Sequence, residues 1–226
     1  MVTQEIMIKI YNNKLDEEIC FECFIFNIHI ISANFKTVTM KSLFIIIFAI
    51  AITSTTMAQK DDFYYEIPEA AKEFTPGTVA SRMVDGLGFR YYWATFGLTE
   101  KDLAFKPNAE VRTSGETIDH ILGLSQMIVN STLKVANGVK QPEMTFAEKR
   151  KKTLLNLQKA SDILRNSKDI SEYKIIFGKT EFPFWNQING PISDALWHTG
   201  QVVSFRRSSG NPFTKGVNVL TGTKRD

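Results

Sequence analysis

Cysteine is almost absent from this chain. Its 226 residues include only Cys20 and Cys23, and none follows them. From residue 24 onward this excludes an internal disulfide and a thiol nucleophile, and export carries no redox hazard. The pair itself is a lone C-x-x-C, without the second pair that a zinc site of this kind needs. Histidine is nearly as scarce, at His29, His120 and His198. No apolar run approaches the length of about 20 residues that a membrane-spanning helix requires, the longest being Leu43 to Ile52. The net charge of +3 is small, with no concentrated basic stripe, so a nucleic-acid partner is not expected. There is no phosphate-cradling glycine loop, no G-x-S-x-G elbow and no dinucleotide fingerprint.

What is present is ordinary globular composition, 43% hydrophobic and 23% charged, enough for one domain with a core. The N-terminus does not read as part of that domain. Residues 40–58 have the organisation of a secretory signal: Met40-Lys41-Ser42, the apolar run to Ile52, then Thr53 to Ala58 with small residues before a cut. This predicts an exported protein, periplasmic or secreted, with no stable membrane anchor after cleavage. Residues 1–39 precede that signal and are expected to be an extension ahead of the true start at Met40. The alternative is that the extension is made and the apolar run stays as a weak anchor. Cys20, Cys23 and His29 all fall within the extension.

Residues 59–74 read as an irregular lead-in and 75–213 as the folded domain. A first helix should begin at Thr75-Pro76, a capping residue followed by proline at the first helical position, and stop at Gly97. Gly86 and Gly88 within it are expected to mark a close helix crossing. One short helical turn is expected between Leu98 and Asn108. A capping box, Thr113 with Glu116, opens a second helix, with an apolar stripe of Ile118, Ile121, Leu122, Ser125, Ile128 and Val129 and an end near Asn137-Gly138. A second box, Thr145 with Glu148, opens a third helix whose Lys149–Lys152 run reads as a solvated face. Tyr173 to Phe177 reads as a short extended piece and Phe182 to Trp185 as an aromatic plug. A last helix should have Pro191 near its start and end at Gly210. Residues 214–226 read as a flexible tail. No strand set able to form a sheet is evident, so the fold class is all-α: a four-helix bundle with long crossover connections.

The chemistry-bearing residues gather on two of these helices. Asp194 and His198 are four apart, so they lie one above the other on one helix face. His120 is the other histidine of the domain, on the second helix. Bringing the two helices together makes a two-His, one-Asp metal site, and three protein ligands leave coordination positions open, as a catalytic metal needs. Asp194 also suits the first turn of a helix through the helix dipole alone. Gln201 leans over the same face and could orient a ligand or a bound water. Gly200 is expected to permit close helix packing. Glu116 could reach the metal, although capping accounts for it. Arg206 and Arg207 could bind an anionic substrate or support the helix C-terminus. Tyr91, Tyr92 and Trp93 are expected to pack the core, with Tyr91 as a candidate proton donor.

Arg90-Tyr91-Tyr92-Trp93, Gly97-Leu98-Thr99, Phe105-Lys106-Pro107, Ile118-Asp119-His120-Ile121, Asp194 through Gln201 and Arg206 through Pro212 together resemble the DinB-like (YfiT-like) metalloenzyme superfamily. The resemblance spans roughly residues 75–213. It implies an up-down-down-up four-helix bundle, often a homodimer, with a divalent metal between helices. The family usually supplies three histidines. His120 and His198 match two of them, and Asp194 stands at the third, a departure that lowers the site's charge by one unit. Zn²⁺ or Ni²⁺ are the implied metals. Relatives include transferases and isomerases that use low-molecular-weight thiols, which an exported protein is poorly placed to meet. The expected function is therefore an exported metal-dependent hydrolase or group transferase acting on an unidentified small molecule, with Gln201 and Tyr91 as catalytic candidates. The alternative is a bundle that binds metal or a ligand, or dimerises, without turnover.

Overall fold

The computed structural model describes residues 63–225. The proposed extension, the signal at 40–58 and the C-x-x-C lie outside the described residues. Helices α1 (Pro76–Thr95), α2 (Glu100–Ala104), α3 (Ser114–Leu133), α4 (Phe146–Arg165), α5 (Phe184–Gln187) and α6 (Ser193–Ser209) dominate the described residues. Two short antiparallel hairpins accompany them: β1 (Ile175–Phe177) with β2 (Thr180–Phe182), and β3 (Val217–Asn218) with β4 (Thr223–Lys224).

The helix starts follow the capping chemistry of the sequence. Glu116 Oε2 accepts from Thr113 N at 2.7 Å, while Thr113 Oγ1 accepts from Glu116 N at 3.1 Å. The Thr145–Glu148 box closes in the same way, at 2.7 and 3.3 Å. Each box satisfies two amide groups that a helix start leaves unpaired. Every residue of the expected α3 stripe, from Ile118 to Val129, is buried. That helix ends earlier than expected, with Lys134 in the left-handed region at φ 58°. Asn137 instead donates its backbone N–H to Ile176 O at 2.8 Å, so the Asn-Gly pair docks β1 rather than stopping α3.

Helix α1 packs on α4 and α6, and α3 packs on the same two helices. At one end Gly77 of α1 lies so close to the carbonyls of Leu164 and Ser167 that a Cβ would collide with them. At the other end Arg150 of α4 donates to Thr95 Oγ1 at 3.0 Å and to Tyr92 O at 3.2 Å, with its guanidinium 4.5 Å from the Tyr92 ring centre. The expected solvated face of α4 is therefore partly a locking face, and Lys149 pairs with Asp119 Oδ1 at 2.7 Å. The expected role of Gly86 and Gly88 in a helix crossing is corrected too. The neighbour that leaves no room for a Cβ at Gly88 is the ring of Tyr64 in the lead-in, whose hydroxyl donates to buried Asp85 at 3.2 Å. In the aromatic plug only Phe184 is buried, while Trp185 is 73% exposed.

The tail is also corrected. Residues 217–224 form the β3–β4 hairpin, which accepts the Ile67 N–H at Gly222 O at 2.8 Å. Phe213 and Val217 pack against the core. Strands of two residues carry no readable alternation, and this pairing depends on a partner about 150 residues away in the lead-in.

The arginine-bearing end of α6 is a structural clasp in this fold. Arg206, 2% exposed, donates from Nη1 to Trp93 O and Ala94 O at 3.0 and 3.1 Å and from Nε to Asn211 O at 3.0 Å. Asn211 Nδ2 donates to Asp102 Oδ2 at 2.8 Å, and Ser209 Oγ donates to Asp102 Oδ1. Of the two roles open to Arg206, helix-end support is the one the geometry fills. Burial alone would raise the Asp102 pKa, but the bonds from Asn211, Ser209 and Thr99 outweigh it and hold the carboxyl well below its usual range. A carboxyl depressed in the folded state contributes stability above its unfolded pKa and loses it as pH falls toward the folded one. Urea denaturation across pH 5 to 2 should therefore show stability falling below about pH 4, and Asp102→Asn should be less stable at pH 7 with a flatter decline. Parallel pH profiles for the two proteins would contradict this.

Candidate metal centre

The last long helix begins with an irregularity. Between α5 and α6 the chain makes a wide π turn over Ile188–Ile192, with Pro191 inside it and Gly190 at φ −91°, ψ −106°. Proline has no N–H to give and its ring clashes with the carbonyl one turn back, so a regular ladder cannot pass through it. Ser193 bonds back to the Ile188 carbonyl by its N–H, and by its Oγ at 2.6 Å. Pro191 thus sits at a kink ahead of α6, beside the non-helical Gly190, and Asp194 falls in the first turn of α6.

From there the helical period does the placing. Ala195, Thr199 and Val202 turn into the core, which leaves Asp194, His198 and Gln201 on the adjoining, half-buried edge. Helix α3 brings His120 to that edge. His120 Nε2 lies 3.1 Å from Asp194 Oδ2, and His198 Nε2 lies 3.4 Å from Asp194 Oδ1. The two imidazoles stand edge to face, 4.8 Å between centres and 85° between planes. One ligating atom from each of the three residues falls within 4.8 Å of the others. Side-chain exposure is 34%, 40% and 20% for His120, Asp194 and His198, so the group opens to solvent on one side.

These separations place the three side chains where one cation could gather them. Ligand bonds of about 2.0–2.1 Å put neighbouring donors about 3.3 Å apart in a tetrahedron and about 2.9 Å apart in an octahedron. The two imidazole–carboxylate contacts, 3.1 Å to Oδ2 and 3.4 Å to Oδ1, end on different oxygens of Asp194, and with donors up to 4.8 Å apart the group would have to draw together around a bound ion. The donor set, two nitrogens and one carboxylate, suits a borderline divalent metal rather than a hard calcium-like ion. The His120–Asp194–His198 group has the composition and spacing to hold a metal ion.

Gln201 has a definite place in this group. Its Oε1 lies 2.9 Å from His198 Nδ1. Accepting the Nδ1 proton there leaves the Nε2 lone pair free in a neutral ring and aimed toward Asp194, the tautomer a metal ligand needs. Gln201 is accordingly a positioning residue for His198. Tyr91 does not join the site. It is fully buried, hydroxyl included. Burial pushes its pKa up to about 12, with Thr153 and then Arg150 acting in the opposite direction. A hydroxyl sealed in the core cannot exchange protons with a solvent-open cation, so the expected proton-donor role is corrected. Glu116 is held by Thr113, whose backbone and hydroxyl bonds lower its pKa, and it does not belong to the ligating group. Trp197, 78% exposed and three residues past Asp194, was not singled out by sequence. Its signal was a tryptophan beside a ligand on an otherwise polar helix edge.

Replacing Gln201 by Leu should lower divalent-metal affinity about 10–100-fold while leaving the thermal melt of the metal-free protein unchanged. Competition against a chromophoric chelator reads the first quantity and circular dichroism the second. Equal metal affinity in the two proteins would remove Gln201 from the site.

Searches against family models, curated proteins and solved structures return no match for this chain.

Proposed function

We propose that this chain is a DinB-like metal-dependent enzyme: an exported four-helix bundle whose His120, Asp194 and His198 hold Zn²⁺ or Ni²⁺ and act on a small molecule by hydrolysis or group transfer. The observation that carries the proposal is the convergence of three ligating side chains from two helices 74 positions apart in sequence. A bound cation would supply Lewis-acid polarisation of a substrate oxygen and acidification of a bound water. The chain's own part is to hold the ligands in place and oriented. Asp194 lies within reach of both imidazoles, and Gln201 Oε1 lies 2.9 Å from His198 Nδ1, where it would orient the ring.

Helix directions support the bundle reading. Gly77 meets Leu164 and Arg150 meets Thr95, so α1 and α4 run antiparallel. Arg206 near the end of α6 reaches the end of α1, so these two run parallel. Asp119 pairs with Lys149 and Ser125 with Asn156, so α3 and α4 run parallel. His120 meets Asp194, while Gln187 just before α6 reaches Ile128 further along α3, so α3 and α6 run antiparallel. Taken together these directions support the up-down-down-up pattern that the resemblance implies, with residues 134–145 as the crossover between the parallel α3 and α4. Export and a homodimer belong to the same proposal. Export would keep the site away from cytosolic thiols, which favours water or a small polar group as the acceptor.

A second reading, metal binding without turnover, draws on one observation. Four clefts of about 190 to 430 Å³ among the described residues have none of the three ligands in their walls. Elemental analysis and melting of two proteins test both readings. The wild type should carry one divalent cation per chain, and His120→Ala should carry none. If the melting temperature of His120→Ala stays within a few degrees of wild type, the open reactive site is supported. A loss of tens of degrees assigns the metal a structural role. Wild-type protein purified without chelators and lacking stoichiometric metal would contradict the proposal.

A further inference from the structure

Helix α6 has a second lined face, away from the ligand edge. A groove of about 430 Å³ runs along it, within the range of small-molecule sites. Leu196 and Val203 form one wall, and Phe213 and Val219 from the C-terminal segment form the other. Gly200 lies between them, and a Cβ built there meets nothing within 4 Å. The expectation that Gly200 allows close helix packing is therefore corrected: its missing side chain opens the groove. Residues 196, 200 and 203 recur at helical spacing, and Gly200 is about 200° around the helix from His198. The groove and the ligand edge are thus separate faces.

The polar content of the groove is specific in sign. Arg90 and Arg207 line it and no acidic side chain does. Arg90 is committed to the backbone, donating to Gly86 O at 3.0 Å and to Val219 O at 3.3 Å, the second bond tying the β3–β4 loop down over the groove. The hydroxyls of Thr199 and Ser204 are spent on the helix carbonyls of Ala195 and Gly200. Arg207 is exposed and its side chain has no hydrogen bond or ion pair among the described residues. It is the available cation beside an apolar trough.

We propose that this groove binds an amphiphilic carboxylate, its hydrocarbon part lying over Gly200 between Leu196, Val203, Phe213 and Val219 and its carboxylate paired with the Arg207 guanidinium. The planar fork of arginine matches a carboxylate in two parallel bonds. The apolar walls exclude a fully hydrated anion such as free phosphate from gaining much by entering. The binding is independent of the metal centre and stands whether or not that centre turns over substrate.

Isothermal titration with decanoate, below its aggregation range, tests the site on the full chain. Wild type should bind one decanoate per chain, and decanol should bind about fivefold more weakly or worse, because it lacks the charge. Arg207→Gln should weaken decanoate by a similar factor. Gly200→Leu should abolish binding by filling the trough, whereas Gly200→Ala should fold with an equal or higher melting temperature, since alanine favours a helix over glycine. His120→Ala should bind decanoate as wild type does, which separates this site from the metal proposal. Absence of decanoate binding to wild type would overturn the assignment. Equal binding of decanol, or unchanged decanoate binding in Arg207→Gln, would overturn the carboxylate contact. Unchanged binding in Gly200→Leu would overturn the location.

Discussion

The axial register of α6 against α3 is the constraint on which the rest depends. Ligand bonds tolerate errors of only a few tenths of an ångström, while one residue of slip along a helix moves a side chain about 1.5 Å and turns it by about 100°. Asp194 and His198 meet His120 only in one register. That register is set at both ends of α6. At its C-terminus buried Arg206 bonds to the carbonyls of Trp93 and Ala94 and to Asn211, while Ser209 and Asn211 bond to Asp102. At its N-terminus the π turn around Pro191 and the buried Gln187, whose Nε2 donates to Ile128 O at 3.2 Å, tie the helix entrance to α3.

The distribution of polar burial follows from this requirement. The clasp places a guanidinium and a carboxylate almost out of solvent, which is costly unless each is fully bonded. Here the bonds are made, chiefly to backbone carbonyls and amides rather than in a simple ion pair. Leaving one of those groups unpaired would cost about 1–3 kcal/mol, so the clasp favours one seating of the helix end over its neighbours. The ligand edge is the opposite case. It is half-exposed and held by few contacts, which leaves its open side accessible. Rigidity is placed at the ends of α6, and the half-exposed Asp194 and His198 lie along its first two turns.

Much of this was legible in the sequence because it is local. The two Thr-x-x-Glu boxes open their helices at the expected residues, since the reciprocal bonds lie within four positions. Asp194, His198 and Gln201 share an edge because the helical period requires it. What was not legible depends on partners far along the chain. Gly88 answers to Tyr64 in the lead-in, Arg150 to the end of α1, and the C-terminal hairpin to Ile67. Tyr91, Tyr92 and Trp93 pack the core as expected; what depended on distant partners was that the Tyr91 hydroxyl is sealed there as well. Gly200 looked like a packing glycine because glycine in a helix is most often explained that way, yet no helix approaches it.

X-ray absorption at the metal edge of the zinc-loaded protein is the most direct measurement of the central claim, because it reports the donor atoms themselves. The account predicts two imidazole nitrogens at about 2.0–2.1 Å and a carboxylate oxygen at about 2.0–2.2 Å, with the remaining position light-atom and exchangeable. A shell of oxygen donors without imidazole scattering, or a shell containing sulfur, would contradict a centre made by His120, Asp194 and His198.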